Sequence, residues 1–231
     1  KRYGLVLGGG GIKGAWTAGF MKYVIENWGH RFDSVAGSSA GALNAMLYIA
    51  NLDKSDFSDR IQNAWIEDGD LKNFVMLDWK NIVKFSSLFS LDPLLNVCKK
   101  HANLLDLRKN IKEKQITFIV STTDLTKGKG VIWVDGGSQT KDYSSPQWQD
   151  IKTNINYEHV VASSSIPALF SERTIQETGD NGHCDGSIGI NTPILPVIIS
   201  LLDKRNTPEP DEPEVNILTL LLDGTDESQV Y

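Results

Sequence analysis

Ser34-Val35-Ala36-Gly37-Ser38-Ser39-Ala40-Gly41-Ala42-Leu43 is the stretch from which the chain is best read. Its centre, Gly37-Ser38-Ser39-Ala40-Gly41, is G-x-S-x-G, set between a short apolar run and an Ala/Leu/Met-rich run ending near Ala50. That context predicts a strand turning at once into a helix, with Ser39 at the apex. Such a turn forces the serine into a strained backbone conformation. Side chains flanking it would clash, hence Gly37 and Gly41. The hydroxyl then stands at a helix N-terminus, where amide N–H groups and the helix dipole favour developing negative charge. A plainer reading makes Ser39 a helix cap, and the five residues alone do not separate the two.

Upstream, Tyr3 to Leu7 reads as a buried parallel strand that breaks into Gly8-Gly9-Gly10-Gly11-Ile12-Lys13-Gly14. A helix follows from Ala15 to Trp28, with Ala18, Met21, Val24 and Ile25 at helical spacing. Successive glycines cost conformational entropy, so they are kept where backbone must approach something closely or present bare N–H groups. Gly9-x-Gly11-x-x-Gly14 matches the dinucleotide fingerprint in form, but the acidic residue downstream, Asp33, precedes the second strand instead of ending it. A phosphate-binding P-loop fails because Gly14-Ala15, not Ser or Thr, follows Lys13. An oxyanion hole, with N–H groups of Gly10 and Gly11 joined by that of Ala40, is the reading that needs both glycine turns.

Farther along, Asp53 to Trp65 is polar with a helical pattern, and Asn73 to Leu91 is the most aromatic and apolar part outside the strands. The latter is either a core-packing helix or a cap over 70–92 whose apolar face forms a lipid groove or touches a bilayer. Asp92-Pro93 predicts a helix start, with Asp92 as N-cap, running to about His101. Gln115 to Ser121 and Val131 to Val134 form a hairpin about Thr126–Gly130. The polar stretch 138–157 reads as a surface insertion. Glu158 to Pro167 is a short helix stopped by its proline, and another strand lies within Ser171 to Gln176. Gly182 to Ser187 is a glycine-punctuated turn carrying one acid, Asp185, and Asn191-Thr192-Pro193 opens an apolar helix to Leu202. Asn206 to Glu214, with three prolines and four acids, reads as a solvated loop before a last strand, Val215 to Leu222. Strands alternating with helices give one α/β domain over 1–231, a layered α/β/α fold around a mainly parallel central sheet, with room for further C-terminal helices.

A serine hydroxyl needs a positioned base. The histidines are His30, His101, His159 and His183, and none follows Asp185. A Ser–acid–His order would therefore have to draw on Asp124 or Asp135 with His159 or His183. Asp185 is the better candidate because its tight turn would hold the carboxylate in one place. The competing reading, an Asp satisfying its own turn N–H groups, is common for Asp-Gly and stays open. A carboxylate near its reference pKa of about 3.9 is a feeble base, so catalysis would require desolvation or a hydrogen bond to the serine.

Bulk properties narrow the partners. A formal net charge of −6 over 231 residues argues against nucleic acid and against purely electrostatic docking to an anionic membrane. Cys98 and Cys184 fit neither a disulfide framework nor a zinc pattern. No apolar run reaches 18 residues and no signal peptide is visible, so a cytoplasmic protein, peripheral at a membrane at most, is expected.

Taken together in this order, Gly9-Gly10-Gly11-Ile12-Lys13-Gly14, Gly37-Ser38-Ser39-Ala40-Gly41 and Asp185-Gly186 resemble the patatin-like phospholipases. The similarity extends to Ala162-Ser163-Ser164-Ser165-Ile166-Pro167 and Asn191-Thr192-Pro193. The resemblance implies a Ser-Asp dyad with Ser39 as nucleophile and Asp185 as base. It implies an oxyanion hole from the Gly9–Gly11 turn and Ala40, an elbow framed by Gly37 and Gly41, and supporting places for Lys13, Gly14 and Gly186. It further implies calcium-independent hydrolysis of acyl esters of phospholipids or related lipids, without cofactor or metal, with transient contact at a membrane surface. One position departs from the family pattern: Ser187 stands where Gly or Ala is usual. The rivals are a carboxylesterase or thioesterase for soluble esters, a catalytically dead lipid-binding scaffold and a nucleotide-binding module.

Overall fold

The computed structural model describes residues 1–83, 87–138, 140–179, 182–203 and 214–221. The chain runs β1 (Arg2–Leu7), α1 (Gly14–Trp28), β2 (Ser34–Gly37), α2 (Ala40–Asn51), α3 (Phe57–Asp68), β3 (Met76–Leu77), α4 (Trp79–Val83), β4 (Phe89–Ser90), α5 (Asp92–His101) and α6 (Leu104–Glu113). It continues through β5 (Thr117–Asp124), β6 (Lys129–Asp135), β7 (Trp148–Lys152), α7 (Tyr157–Ser163), β8 (Arg173–Thr174), β9 (Gly182–Asp185), α8 (Gly186–Ile190), α9 (Ile194–Leu201) and β10 (Val215–Leu220).

Successive side chains of a strand face opposite ways, and here that alternation divides the core. Leu5, Leu7, Val35, Phe118 and Val120 pack with the buried faces of α1, α2, α3, α5, α6 and α7. Val6, Ala36, Ile119 and Ile132 pack on the opposite side with Ile190 of α8 and Val197 and Leu201 of α9. The result is a layered α/β/α arrangement. Every residue of α2 is buried, as its run of Ala, Leu, Met and Ile requires. Its one polar residue near the site, Asn44, is fully engaged: Nδ2 donates to the Gly14 carbonyl at 2.9 Å and Oδ1 accepts from Trp65 Nε1 at 2.7 Å.

Strand order β10-β1-β2-β5-β6-β7 makes the central sheet, parallel at β10–β1, β1–β2, β2–β5 and β6–β7 and antiparallel at β5–β6. One register positions the site. The short β2 ends with Gly37 beside Val120, and β9 takes over the same edge of β5, antiparallel, with Asp185 beside Thr122. The end of β9 is thereby brought against the end of β2, although the two are far apart in sequence.

Several expectations need correction. No core helix spans Asn73 to Leu91: β3 and β4 pair as a two-stranded ribbon with α4 between them, and Met76, Leu77, Trp79, Val83 and Leu88 are exposed. The apolar pattern is divided, Phe74 and Leu91 turning inward while those five face out. The stretch 138–157 is not wholly an insertion, because β7 extends the main sheet and Tyr143 and Ile155 are buried. Gly182 to Asp185 is a strand, not a turn, and the turn begins only at Gly186. Leu91, not Asp92, occupies the N-cap position of α5, with Asp92 in the first turn. The expected loop from Asn206 lies outside the described residues except for Glu214. Cys98 and Cys184 are free and buried.

Candidate active site

At the end of β2 the backbone reverses through Ser39 with φ 53° and ψ −125°, a conformation that costs a non-glycine residue about 1–3 kcal/mol. The flanking glycines are required by space. A Cβ on Gly37 would sit 2.3 Å from the Gly41 carbonyl oxygen, and one on Gly41 would sit 2.1 Å from that of Leu7. The strained residue is anchored from another element: its N–H donates to the Ser163 hydroxyl at the end of α7, at 2.8 Å. Ser39 is therefore no simple cap, since its side chain caps no helical N–H.

The glycine turn after β1 lies directly against this elbow. A Cβ on Gly9 would be 2.9 Å from Ser39 Cβ, and one on Gly14 would be 2.8 Å from Ala40 Cβ. The Gly9 N–H is not available to a substrate oxygen, because it donates to Asn191 Oδ1 at 2.7 Å. This corrects the expectation that Gly9 contributes a donor; its part is to let the turn approach. By contrast, the N–H groups of Gly10, Gly11 and Ala40 have no acceptor among the described residues. Lys13 lies exposed at the end of the short 3-10 turn Gly11–Lys13.

Asp185, only 1% exposed, ends β9 with its two carboxylate oxygens in different states. Oδ1 accepts from the Ser187 amide at 2.8 Å and from the Ser187 hydroxyl at 2.6 Å. Oδ2 is buried without a hydrogen-bond partner. The Ser39 hydroxyl is near enough to stabilise the carboxylate, yet no hydrogen bond of good geometry joins the two in this conformation. Burial raises the Asp185 pKa above the usual carboxylate value, and the Ser187 hydroxyl, the Ser187 amide and then the Ser39 hydroxyl draw it back. Gly186 is again a matter of space: its Cβ would lie 2.2 Å from the Ser121 carbonyl oxygen. Oδ1 thus satisfies the turn's own N–H and the Ser187 hydroxyl, and Oδ2 is left over.

A cavity of about 180 Å³ opens beside Ser39, bordered by Gly11 and Ala40 and walled by Leu43, Trp65, Phe74, Leu91, Leu94 and Phe170. Ile12, Ile166 and Leu169 line it and also reach the surface. One turn beyond Ile12, exposed Trp16 stacks on Phe20 with ring centroids 5.5 Å apart.

The histidines are engaged elsewhere. His30 stacks on Tyr3, and His101 Nε2 meets Asp68 Oδ2 at 2.5 Å. His159 accepts the Asn156 N–H and is pushed down to about 4 by burial. His183 contacts Thr122 and Thr178, and burial lowers its pKa too. Asn191 and Ser163 each fix one turn of the site through a single side-chain contact, part-buried for Asn191 and buried for Ser163, which no local pattern reveals.

A family model described as patatin-like phospholipase matches residues 5–198. Among solved structures, VipD from Legionella pneumophila is similar at a TM-score of 0.53 and 17% identity, covering 94% of this chain and 49% of that chain. At that identity the likeness concerns the fold, and the present chain spans about half the length of that one. No curated protein matches it.

Proposed function

This chain belongs to the patatin-like phospholipase family, and from that premise we propose that it is a serine lipid acyl hydrolase of phospholipase A type, with Ser39 and Asp185 as its dyad. The observation that carries the proposal is the buried, unpartnered Asp185 Oδ2 next to the strained Ser39. Oδ2 takes the Ser39 proton as the hydroxyl oxygen attacks the ester carbonyl. The negative charge on the carbonyl oxygen falls to the N–H groups of Gly10, Gly11 and Ala40, where loss of one donor typically costs about 100- to 1000-fold. Collapse expels the alcohol, protonated by Asp185, and leaves an acyl-Ser39. Asp185 then activates the water that releases the acid. A carboxylate raised by burial is better matched to this work near neutrality than one at its ordinary pKa.

Substrate class follows from the cavity. Its apolar walls suit hydrocarbon, and about 180 Å³ is of the order of the ~150 Å³ apolar cavity that accepts benzene. That is room for the proximal part of one acyl chain, with the remainder along the exposed rim of Ile12, Ile166 and Leu169. Such a rim also favours substrate drawn from a lipid surface over a small soluble ester, through transient contact with that surface. Among the described residues no helix is long and apolar enough to cross a membrane.

The test is incubation with a fluorophosphonate followed by peptide mapping, with ester hydrolysis measured on monomeric and vesicle substrates. Label on Ser39 alone, with activity abolished in Ser39→Ala and Asp185→Ala, is the expected result. Label on another residue, or an Asp185→Ala variant that keeps most activity while His183→Ala loses it, overturns the dyad.

A further inference from the structure

A neighbouring hydroxyl divides the work of Asp185 between its two oxygens. The Ser187 amide and Oγ–H both donate to Oδ1, at 2.8 and 2.6 Å, and Oδ2 is left buried and bare. We infer that Ser187 is a positioning residue: by saturating Oδ1 it makes Oδ2 the atom that receives the Ser39 proton. A donor on the ionised carboxylate favours that form, so the hydroxyl also keeps the base ionised in more acidic solution. The inference rests on Asp185 acting as the base.

Among the described residues, no element packed on Asp185 supplies Oδ2 with a hydrogen-bond partner. From β5, Thr122 stands across the ladder and the Thr123 hydroxyl binds the Asp185 carbonyl at 3.0 Å. From the end of α7, the Ser165 carbonyl accepts the Asp185 N–H at 2.9 Å. The start of α2 contributes Ser39, and the β1 turn contributes only glycine backbone, with Gly9 packed toward Ser187 Cβ. The titratable neighbours are neutral near pH 7: burial, then the Asp185 charge, push the Cys184 thiol up to about 11, and burial lowers the His183 pKa. Among the described residues no charged side chain acts on Asp185, so the Ser187 hydroxyl is the largest influence opposing desolvation. Ser187 is itself exposed, so its hydroxyl can be removed without opening the core.

The experiment compares wild type with Ser187→Ala in two measurements. The first is the pH dependence of kcat/KM on a soluble p-nitrophenyl ester. The second is an NMR titration of the Asp185 carboxyl carbon in the Ser39→Ala background, which needs no activity. A hydrogen bond to a charged acceptor is worth roughly ten-fold or somewhat more. The acid limb should therefore rise by about one pH unit in Ser187→Ala, and the carboxyl midpoint should rise by a similar amount. A merely structural serine would alter the thermal midpoint and leave both titrations in place, which overturns the inference. If wild type hydrolyses no ester, the dyad reading fails and the carboxyl titration decides this inference alone. Equal midpoints with and without the Ser187 hydroxyl then refute it.

Discussion

Gly9→Ala is the substitution that interrogates the site most directly. Gly9 does not have positive φ, so the backbone admits alanine without strain. Space is what the methyl lacks. Its carbon would stand 2.9 Å from Ser39 Cβ, 3.1 Å from Asn191 Oδ1 and 3.3 Å from Ser187 Cβ, whereas carbon atoms pack best at about 3.5–4.0 Å. The glycine turn must therefore retreat from the elbow by roughly 0.5–1 Å, and a 1 Å misplacement at a reacting centre costs about 100-fold. Overpacking of this kind costs about 1–3 kcal/mol in stability. Gly9 does not line the acyl cavity, so substrate binding should be spared. The expected result is a kcat on a soluble p-nitrophenyl ester lowered about 100-fold, KM nearly unchanged, fluorophosphonate labelling slowed in parallel, and a thermal midpoint a few degrees lower. A variant with wild-type kcat would refute the reasoning, because the turn would then have moved, or not, without consequence for the reacting oxygen.

Three further outcomes follow from the same geometry. Ser39→Gly should unfold at a higher temperature than wild type, by the equivalent of about 1–3 kcal/mol, since φ 53° is strained only for a residue with a side chain, and Ser39→Ala should show no such gain in calorimetry. Asp185→Asn should be more stable than wild type at pH 7 and inactive. Burial raises the folded pKa of Asp185, so the stability it contributes is present at low pH and lost as pH rises through the folded value; a lowered midpoint at pH 7 would contradict this. His159 works in the opposite sense. Pushed from 6.5 down to about 4 by burial, its contribution is complete above 6.5 and lost as pH falls toward 4, of order 3 kcal/mol in all. Urea unfolding at pH 7 and pH 4.5 should show that loss, and a His159→Gln variant with an undiminished pH dependence would contradict the assignment.

Glycine spacing was legible because its cause is local. Gly37 and Gly41 are dictated by atoms within the same turn and the strand beside it, so the pattern alone implies the geometry. The burial of β1 from Gly4 onward and the full burial of α2 could likewise be read from their residues. Asn73 to Leu91 could not, since its apolar residues divide between cavity and surface and share no single period. β7 escaped notice because its residues are only half-buried and its pairing with β6 supplies what its sequence does not. In the site, the family resemblance implies an oxyanion hole from the whole Gly9–Gly11 turn. The acceptor that occupies the Gly9 amide, Asn191, is remote in sequence, and spacing carries no record of it.

The same distinction bears on why the proposed base is a carboxylate, although His183 lies in the same strand as Asp185. Trp133 Nε1 can only donate, and it donates to Thr122 Oγ1 at 2.8 Å. Thr178 Oγ1 gives its own proton to the Ile175 carbonyl at 3.0 Å and therefore accepts from His183 Nε2, 2.8 Å away. With the ring proton on Nε2, Nδ1 of the neutral imidazole is the acceptor for the Thr122 hydroxyl, 3.1 Å away. Each hydroxyl in this chain relays one proton in one direction, so both His183 nitrogens are consumed. Charging the ring would break the Thr122 donation to Nδ1 in a site that burial already makes hostile to charge. Neither ring nitrogen is left for Ser39 or Asp185. Asp185 Oδ2 is the opposite case, a buried acceptor with nothing donating to it, and the hydroxyl of Ser39 is the donor the fold brings to it.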